Sequence, residues 1–295
     1  MNEQYLIDWF QLVYYSGLTQ EQVYQLLVEI GLPREIFQSN YTTLRNVVGE
    51  EAAIKLRHPL SQEAQKQIRE ILMWVNKTPG ARILTLDDSN YPKSLLSGGS
   101  VPLMFFAIGD LSLLSRPTVS FVGTSHPTDE GEALVTQWAK CLSKESQLSI
   151  VESDGKGVEW LALCSAAKTG PMNLVWVCSH SLVDKTVQEK VRFLSSKGLV
   201  ISSVLPLEES LVEQTHNDTK RLLLAVVDNF VVIQAGRQSR VLKLIREAGD
   251  LGCDVMAVPG SVFHPLSKGC HQLIKQGALL VEGTDDILNA LKIKK

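Results

Sequence analysis

Four short stretches of this chain carry residues of the kinds that hold phosphate. Lys156 stands between Gly155 and Gly157, just after the apolar run at residues 148–152. Gly123, Thr124 and Ser125 follow a second apolar run at 118–122, and Thr128 stands where a helix can begin. Arg237, Ser239 and Arg240 follow a third run at 230–233, with Lys220 and Arg221 on the segment leading into it. Lys268 and His271 lie in Ser267-Lys-Gly-Cys-His-Gln-Leu-Ile-Lys-Gln-Gly-Ala, at the front of a helical pattern. Backbone N–H groups at a helix amino terminus attract an anion, and Lys or Arg add charge without reading any particular base. None of these stretches is a complete nucleotide fingerprint. There is no G-x-G-x-x-G, the glycines around Lys156 lack the Walker A spacing and its Gly-Lys-Ser/Thr ending, and no G-x-S-x-G marks a nucleophile.

The elements that must position these residues alternate. The runs at 118–122, 148–152, 173–178, 199–203, 230–233, 255–258 and 278–281 read as buried strands. Helical patterns separate them, at 128–142, 159–168, 183–196, 217–228, 239–251 and 267–276. Ser239 can cap the helix in which Val241, Leu242, Leu244, Ile245 and Ala248 recur near a 3.6 period. Strand–helix alternation with short joins predicts parallel strands and right-handed crossovers. Ligands of such sheets sit outside the carboxyl ends of the strands, where all four phosphate-binding stretches fall.

Residues 1–80 read as helical instead. Thr19 and Gln22 form a capping box before Val23, Leu26, Leu27 and Ile30, and the spans 44–56 and 62–75 read as further helices. Short helices broken at glycines are similar to sterile-alpha-motif or helix-hairpin-helix modules that hold DNA backbone. A packing or oligomerisation role is the alternative. Pro79-Gly80 marks the boundary, giving domains 1–80 and 81–295. A strand at 82–86 leads into a loop and a short helix through Tyr91-Pro92-Lys93-Ser94, and 101–108 is another apolar segment.

The 295 residues are 44% hydrophobic and 21% charged with a net charge of −3, which excludes a global basic field. Any nucleic-acid site must be a local patch. The cysteines (Cys141, Cys164, Cys178, Cys253, Cys270) form no CxxC pair and are expected to be buried free thiols, with no zinc site and no disulfide. No signal peptide and no run approaching 18 apolar residues is present, so a cytoplasmic protein off the membrane is expected.

The order of segments resembles the DprA/Smf family. Leu84-Thr-Leu-Asp-Asp-Ser-Asn-Tyr-Pro-Lys-Ser-Leu is similar to the family's entry segment. Phe121-Val-Gly-Thr-Ser-His-Pro-Thr-Asp-Glu-Gly131 resembles its Val-Gly-Ser-Arg turn, and Met256-Ala-Val-Pro-Gly its Phe-Ala-Val-Pro-Gly. The stretch from Ser267 to Ala278 resembles its Gly-Cys/Ser-His/Asn-x-Leu-Ile-x-x-Gly-Ala signature nearly residue for residue. The resemblance implies an α/β fold, an extended Rossmann-like parallel sheet behind a small all-helical amino-terminal domain. It implies a non-enzymatic, cofactor-free homodimer that binds single-stranded DNA, protects incoming DNA in natural transformation and loads the RecA recombinase. Carried over, the DNA-binding residues are Gly123, Thr124, Ser125, Lys156, Gly157, Lys220, Arg221, Arg237, Ser239, Arg240, Lys268 and His271.

The departures are equally specific. Ser125 stands where the family has arginine, with His126 beside it as a substitute donor. Glu159 replaces an aspartate, Gln234 a glutamate, and Arg221 alone survives of the family's Arg-Asn-Arg core. The resemblance also leaves the chain without the winged-helix tail that many members carry. A diverged paralogue acting as a protein-interaction scaffold is therefore the second reading. A nucleotide-binding enzyme is the third. It is opposed by Pro259-Gly260-Ser-Val-Phe, which lacks the Pro-Gly-Gly-x-Gly-Thr-x-x-Glu run of nucleoside-monophosphate phosphoribohydrolases.

Overall fold

In a computed structural model of the chain, residues 3–89, 91, 102–169, 173–207 and 212–293 are described. The short helix expected after Tyr91 lies outside them. The amino-terminal region is a helical array: α1 (Glu3–Phe10, continued by a π turn to Tyr15), α2 (Gln20–Glu29), α3 (Pro33–Gln38), α4 (Tyr41–Val48), α5 (Glu50–Arg57) and α6 (Gln62–Lys77). Thr19 and Gln22 form the capping box that starts α2. The single helix expected over 44–56 is two. Gly49, at φ 85°, ends α4 and begins α5 in a backbone conformation that glycine adopts without strain.

Nine strands form one sheet in the order β1-β2-β6-β5-β4-β3-β7-β8-β9. They are β1 (Ala81–Thr85), β2 (Met104–Gly109), β3 (Thr118–Val122), β4 (Ser149–Ser153), β5 (Leu174–Val177), β6 (Leu199–Ser202), β7 (Asn229–Val232), β8 (Asp254–Ala257) and β9 (Leu279–Leu280). Between them run α7 (Asp129–Leu142), α8 (Val158–Ala167), α9 (Gln188–Ser195), α10 (Val212–Val226), α11 (Arg240–Asp250) and α12 (Lys268–Lys275), and α13 (Thr284–Ala290) follows β9. From β3 to β9 every pairing is parallel. One edge of the sheet is antiparallel: β2 is antiparallel to β6 and β1 to β2. The cause is the join. Only a 3₁₀ turn at Leu111–Ser115 links β2 to β3, with no crossover helix to reverse the chain's direction.

The strands alternate between two cores, which is why their runs are apolar throughout. Phe121, Ile150, Trp176, Val200 and Val231 meet α7, α8 and α9 on one face. Val122, Val151, Val177, Ile201, Phe230 and Val232 meet α10, α11 and α12 on the other. The strand order reverses between β3, which leads out to β6, and β7, which leads out to β9. This switch point fixes where ligands are held.

Candidate nucleic-acid interface

The carboxyl ends of β4, β3, β7 and β8 lie side by side, about 4.8 Å apart per strand, and their turns form one rim. At its centre, β3 and β7 are tied beyond the last ladder pair: Thr124 N–H donates to Gln234 O at 2.7 Å. The Gln234 side chain then folds across the crevice. Thr128 N–H donates to its Oε1 at 3.0 Å, and its Nε2 donates to Thr128 Oγ1 at 2.8 Å. Thr128 also caps α7 by accepting from Gly131 N–H at 3.2 Å. A Cβ on Gly131 would lie 2.6 Å from Gln234 Oε1, so glycine makes room for this amide. The α7 amino terminus, where a phosphate would first be sought, is thus occupied by Gln234. Asp129 and Glu130 in its first turn add negative charge of their own.

On the other side of β3 the ladder to β4 stops after Thr118–Ser149 and Val119–Ile150. The strands part, and the fully buried Glu152 fills the gap by accepting from Phe121 N–H at 2.8 Å. Burial pushes its carboxyl well above the usual range, and its Oε2 has no hydrogen-bond partner among the described residues. Above it, burial pushes Glu159 up to about 7, although its own N–H and that of Gly123 favour the charged form. Gly157, at φ 68°, starts α8 against the β3 turn. Its missing Cβ lets it approach the Thr124 carbonyl, and Val158 N–H reaches Thr124 O at 3.3 Å. The Gly123, Thr124, Ser125 and Gly157 turns therefore form one interlocked unit, with Lys156 and Ser125 exposed on it. Ser125 Oγ lies 3.0 Å from His126 Nδ1, which puts a hydroxyl–imidazole pair where the arginine was expected.

Beyond β7, Ser239 caps α11 by accepting from Val241 N–H at 3.3 Å, and Arg237 and Arg240 are exposed on either side of it. The α12 signature has structural reasons of its own. Gly269 N–H donates to Ala235 O at 2.8 Å, and a Cβ there would lie 2.6 Å from that oxygen. Cys270 is buried with Sγ 3.6 Å from Ile233 O. His271 Nε2 lies 3.0 Å from Gly260 O and holds the Pro259–Gly260 turn. Lys268 Nζ donates to Val262 O, folding the half-buried lysine over the same loop.

Two expected contacts are engaged elsewhere. Lys220 forms an ion pair with Glu247 of α11. Arg221 donates to Gln20 of α2 at 2.9 Å and lies 3.5 Å from Asp218. The rim thus offers Lys156, Arg237 and Arg240 as exposed cations, while Lys220 and Arg221 bind the fold together.

Asp154 and His180, which sequence reasoning passed over, and Cys178, which it read as a buried free thiol, also meet on this edge. Asp154, after β4, accepts from Trp176 Nε1 at 2.8 Å and from Ser179 N–H at 2.5 Å. Cys178 and His180, after β5, bring a thiol and an imidazole beside it, with ligand atoms within 4.8 Å of one another. The signal available was two chemically active residues, Cys178 and His180, spaced i and i+2 at a strand end.

Residues 82–292 match the family described as DNA recombination-mediator protein A. The chain is 30% identical over 218 residues to DNA processing protein DprA of Streptococcus pneumoniae, an alignment that covers 72% of this chain and 74% of that protein. Its structure is similar to the X-ray structure of DNA processing protein A from the same species, with a TM-score of 0.75 at 24% identity over 98% of both chains. It is also similar to DNA processing protein A from Helicobacter pylori, a protein with a described single-stranded DNA binding mode. There the TM-score is 0.58 at 23% identity, over 72% of this chain and 96% of that one.

Proposed function

The chain belongs to the DNA recombination-mediator protein A family, the DprA/Smf proteins, and from that premise we propose that it processes DNA by binding single strands along the rim of strand ends. Lys156, Arg237 and Arg240 supply charge, and the interlocked turns fix their positions. The single observation that carries the reading is this rim, in which the turns after β4 and β7, on either side of the β3 turn, present exposed cations. Cations spread over more than one strand end suit an extended polyanion, and exposed Lys and Arg exchange counterions with phosphates without sequence readout. In this proposal the protein is a non-enzymatic, cytoplasmic homodimer that protects incoming DNA in natural transformation and passes it to the RecA recombinase.

The second reading, a scaffold that binds DNA weakly, is favoured by Gln234 closing the α7 amino terminus and by the internal pairing of Lys220 and Arg221. Anisotropy titration of a labelled oligo-dT, at low and moderate salt beside a duplex control, separates the two. Salt-sensitive binding that prefers single strands supports DNA processing. Absence of binding at low salt overturns it in favour of the scaffold.

A further inference from the structure

Asp154, Cys178 and His180 stand outside the phosphate-binding rim residues, and DNA binding needs neither a thiol nor an imidazole there. The thiol is fully buried, whereas the Asp154 and His180 side chains are 21% and 45% exposed, so the cluster is closed on the sheet side and open to solvent on the other. Asp154 Oδ2 lies 3.7 Å from His180 Nδ1, and all three ligand atoms fall within 4.8 Å of one another. With metal bonds of about 2.0–2.3 Å, tetrahedral ligands are about 3.3–3.6 Å apart, so a small turn of the half-exposed imidazole completes the geometry.

The surroundings are those of a supported ligand set. Trp176 Nε1 and Ser179 N–H fix the Asp154 carboxylate, and Ser202 Oγ donates to His180 O at 2.9 Å. His180 N–H donates to Cys178 Sγ at 3.4 Å, a bond that strengthens as the sulfur gains charge. A nucleophilic role for Cys178 fits less well. Burial, then the Asp154 carboxylate, pushes the thiol far up and keeps it protonated, whereas a catalytic thiol must ionise. A metal ion, by contrast, binds the thiolate and releases its proton.

We propose that Asp154, Cys178 and His180 bind one divalent transition-metal ion of the zinc class, with the fourth position facing solvent. Mixed sulfur, nitrogen and oxygen ligands select zinc or cobalt over magnesium or calcium. Such an ion would clamp the ends of β4 and β5 together, next to the turn that carries Lys156.

The test is to titrate the full chain, freed of metal by a chelator, with Co²⁺ and then Zn²⁺ while recording near-ultraviolet and visible absorption. The expected result is one Co²⁺ per chain, with a thiolate-to-cobalt charge-transfer band and the visible bands of a tetrahedral site, both lost when Zn²⁺ is added. Cys178→Ser should abolish the charge-transfer band. Asp154→Asn and His180→Ala should each weaken binding at least as much as the about 10–100-fold that loss of a supporting partner brings. Absence of the charge-transfer band in the unsubstituted protein overturns the proposal, however the variants fold. Equal affinity in Asp154→Asn and His180→Ala overturns it too.

Discussion

At the scale of single residues, the rim separates cations that are free to meet phosphate from cations already engaged. Lys156, Arg237 and Arg240 are exposed, whereas Lys220 holds Glu247. Replacing Lys156 or Arg240 by Ala should weaken oligo-dT binding and lower the slope of log affinity against log salt by about 0.7 per lost contact. Lys220→Ala should leave that slope unchanged and cost no more than about 1 kcal/mol of stability, the range of a partly exposed ion pair. Anisotropy titrations over a salt series, with urea melts of the same variants, check both statements. Glu159 adds a pH dependence. Its folded value of about 7 lies above the ordinary carboxylate range, so between that range and about 7 the folded state holds the extra proton. Stability should therefore fall as pH rises through this window, and the buried Glu152, raised for the same reason, adds to the fall. DNA affinity should fall in the same direction, because ionised Glu159 places a negative charge beside the Gly123 and Gly155 turns. Glu159→Gln should make both profiles shallower between pH 5 and 8. A Gln variant that keeps the slope would assign it to another group.

At the scale of elements, the site depends on glycines that let backbones touch. Gly157 combines φ 68° with contact on the Thr124 carbonyl, and Gly269 packs on Ala235. Gly157→Ala should destabilise the protein by about 1–3 kcal/mol from the backbone conformation alone. It should also weaken DNA binding, because the β3 and β4 turns would be forced apart. Gly249→Ala, in a helix with nothing near its missing Cβ, should instead leave DNA binding unchanged and stabilise by up to about 1 kcal/mol, and thermal melts with titrations read the contrast. These contacts explain what the sequence could and could not disclose. Buried parallel strands, the Thr19 capping box and the Ser239 cap depend on neighbours a few residues away, and each appears as a local pattern. The break at Gly49 is local too, but an isolated glycine in a helical stretch is often tolerated, and only its positive φ decides. The antiparallel β1–β2 edge rests on which strands pair, which no run of residues encodes. Arg221 and Gln234 look like ligand groups in one dimension. Only the fold shows that α2 and the α7 amino terminus satisfy them. The glutamine replaces a carboxylate in the resembling pattern, and its neutral amide can both accept from Thr128 N–H and donate to Thr128 Oγ1.

At the scale of the whole molecule, the boundary at Pro79-Gly80 separates two patterns of sequence but not two cores. Phe10 of α1 stacks on Phe106 of β2 with ring centroids 6.2 Å apart, and Leu6, Trp9 and Phe10 share one buried cluster with Ile83, Phe106 and Ile108. Polar ties cross the same seam. Tyr5 donates to Asp87 at 2.5 Å, Tyr14 donates to Ser203 O at 3.1 Å, and Arg221 reaches Gln20. Burial, then Asp87, raises the Tyr5 hydroxyl to about 12, so at neutral pH it remains the donor this contact needs. Inter-domain seams that are small and wet let domains unfold separately, whereas a shared apolar core couples them. The helical array and the sheet should therefore melt together. Calorimetry of the full chain should show one transition whose midpoint coincides by helical circular dichroism and by tryptophan fluorescence. Phe10→Ala should lower the whole transition by the about 3–5 kcal/mol typical of removing a fully buried aromatic ring. A chain beginning at residue 81 should expose the β1–β2 edge of the sheet and lose the Gln20 partner of Arg221, and so aggregate or melt early. Two separate transitions in the full chain would show that the seam does not couple the domains, and would leave the helical array free to act as a DNA-holding module on its own.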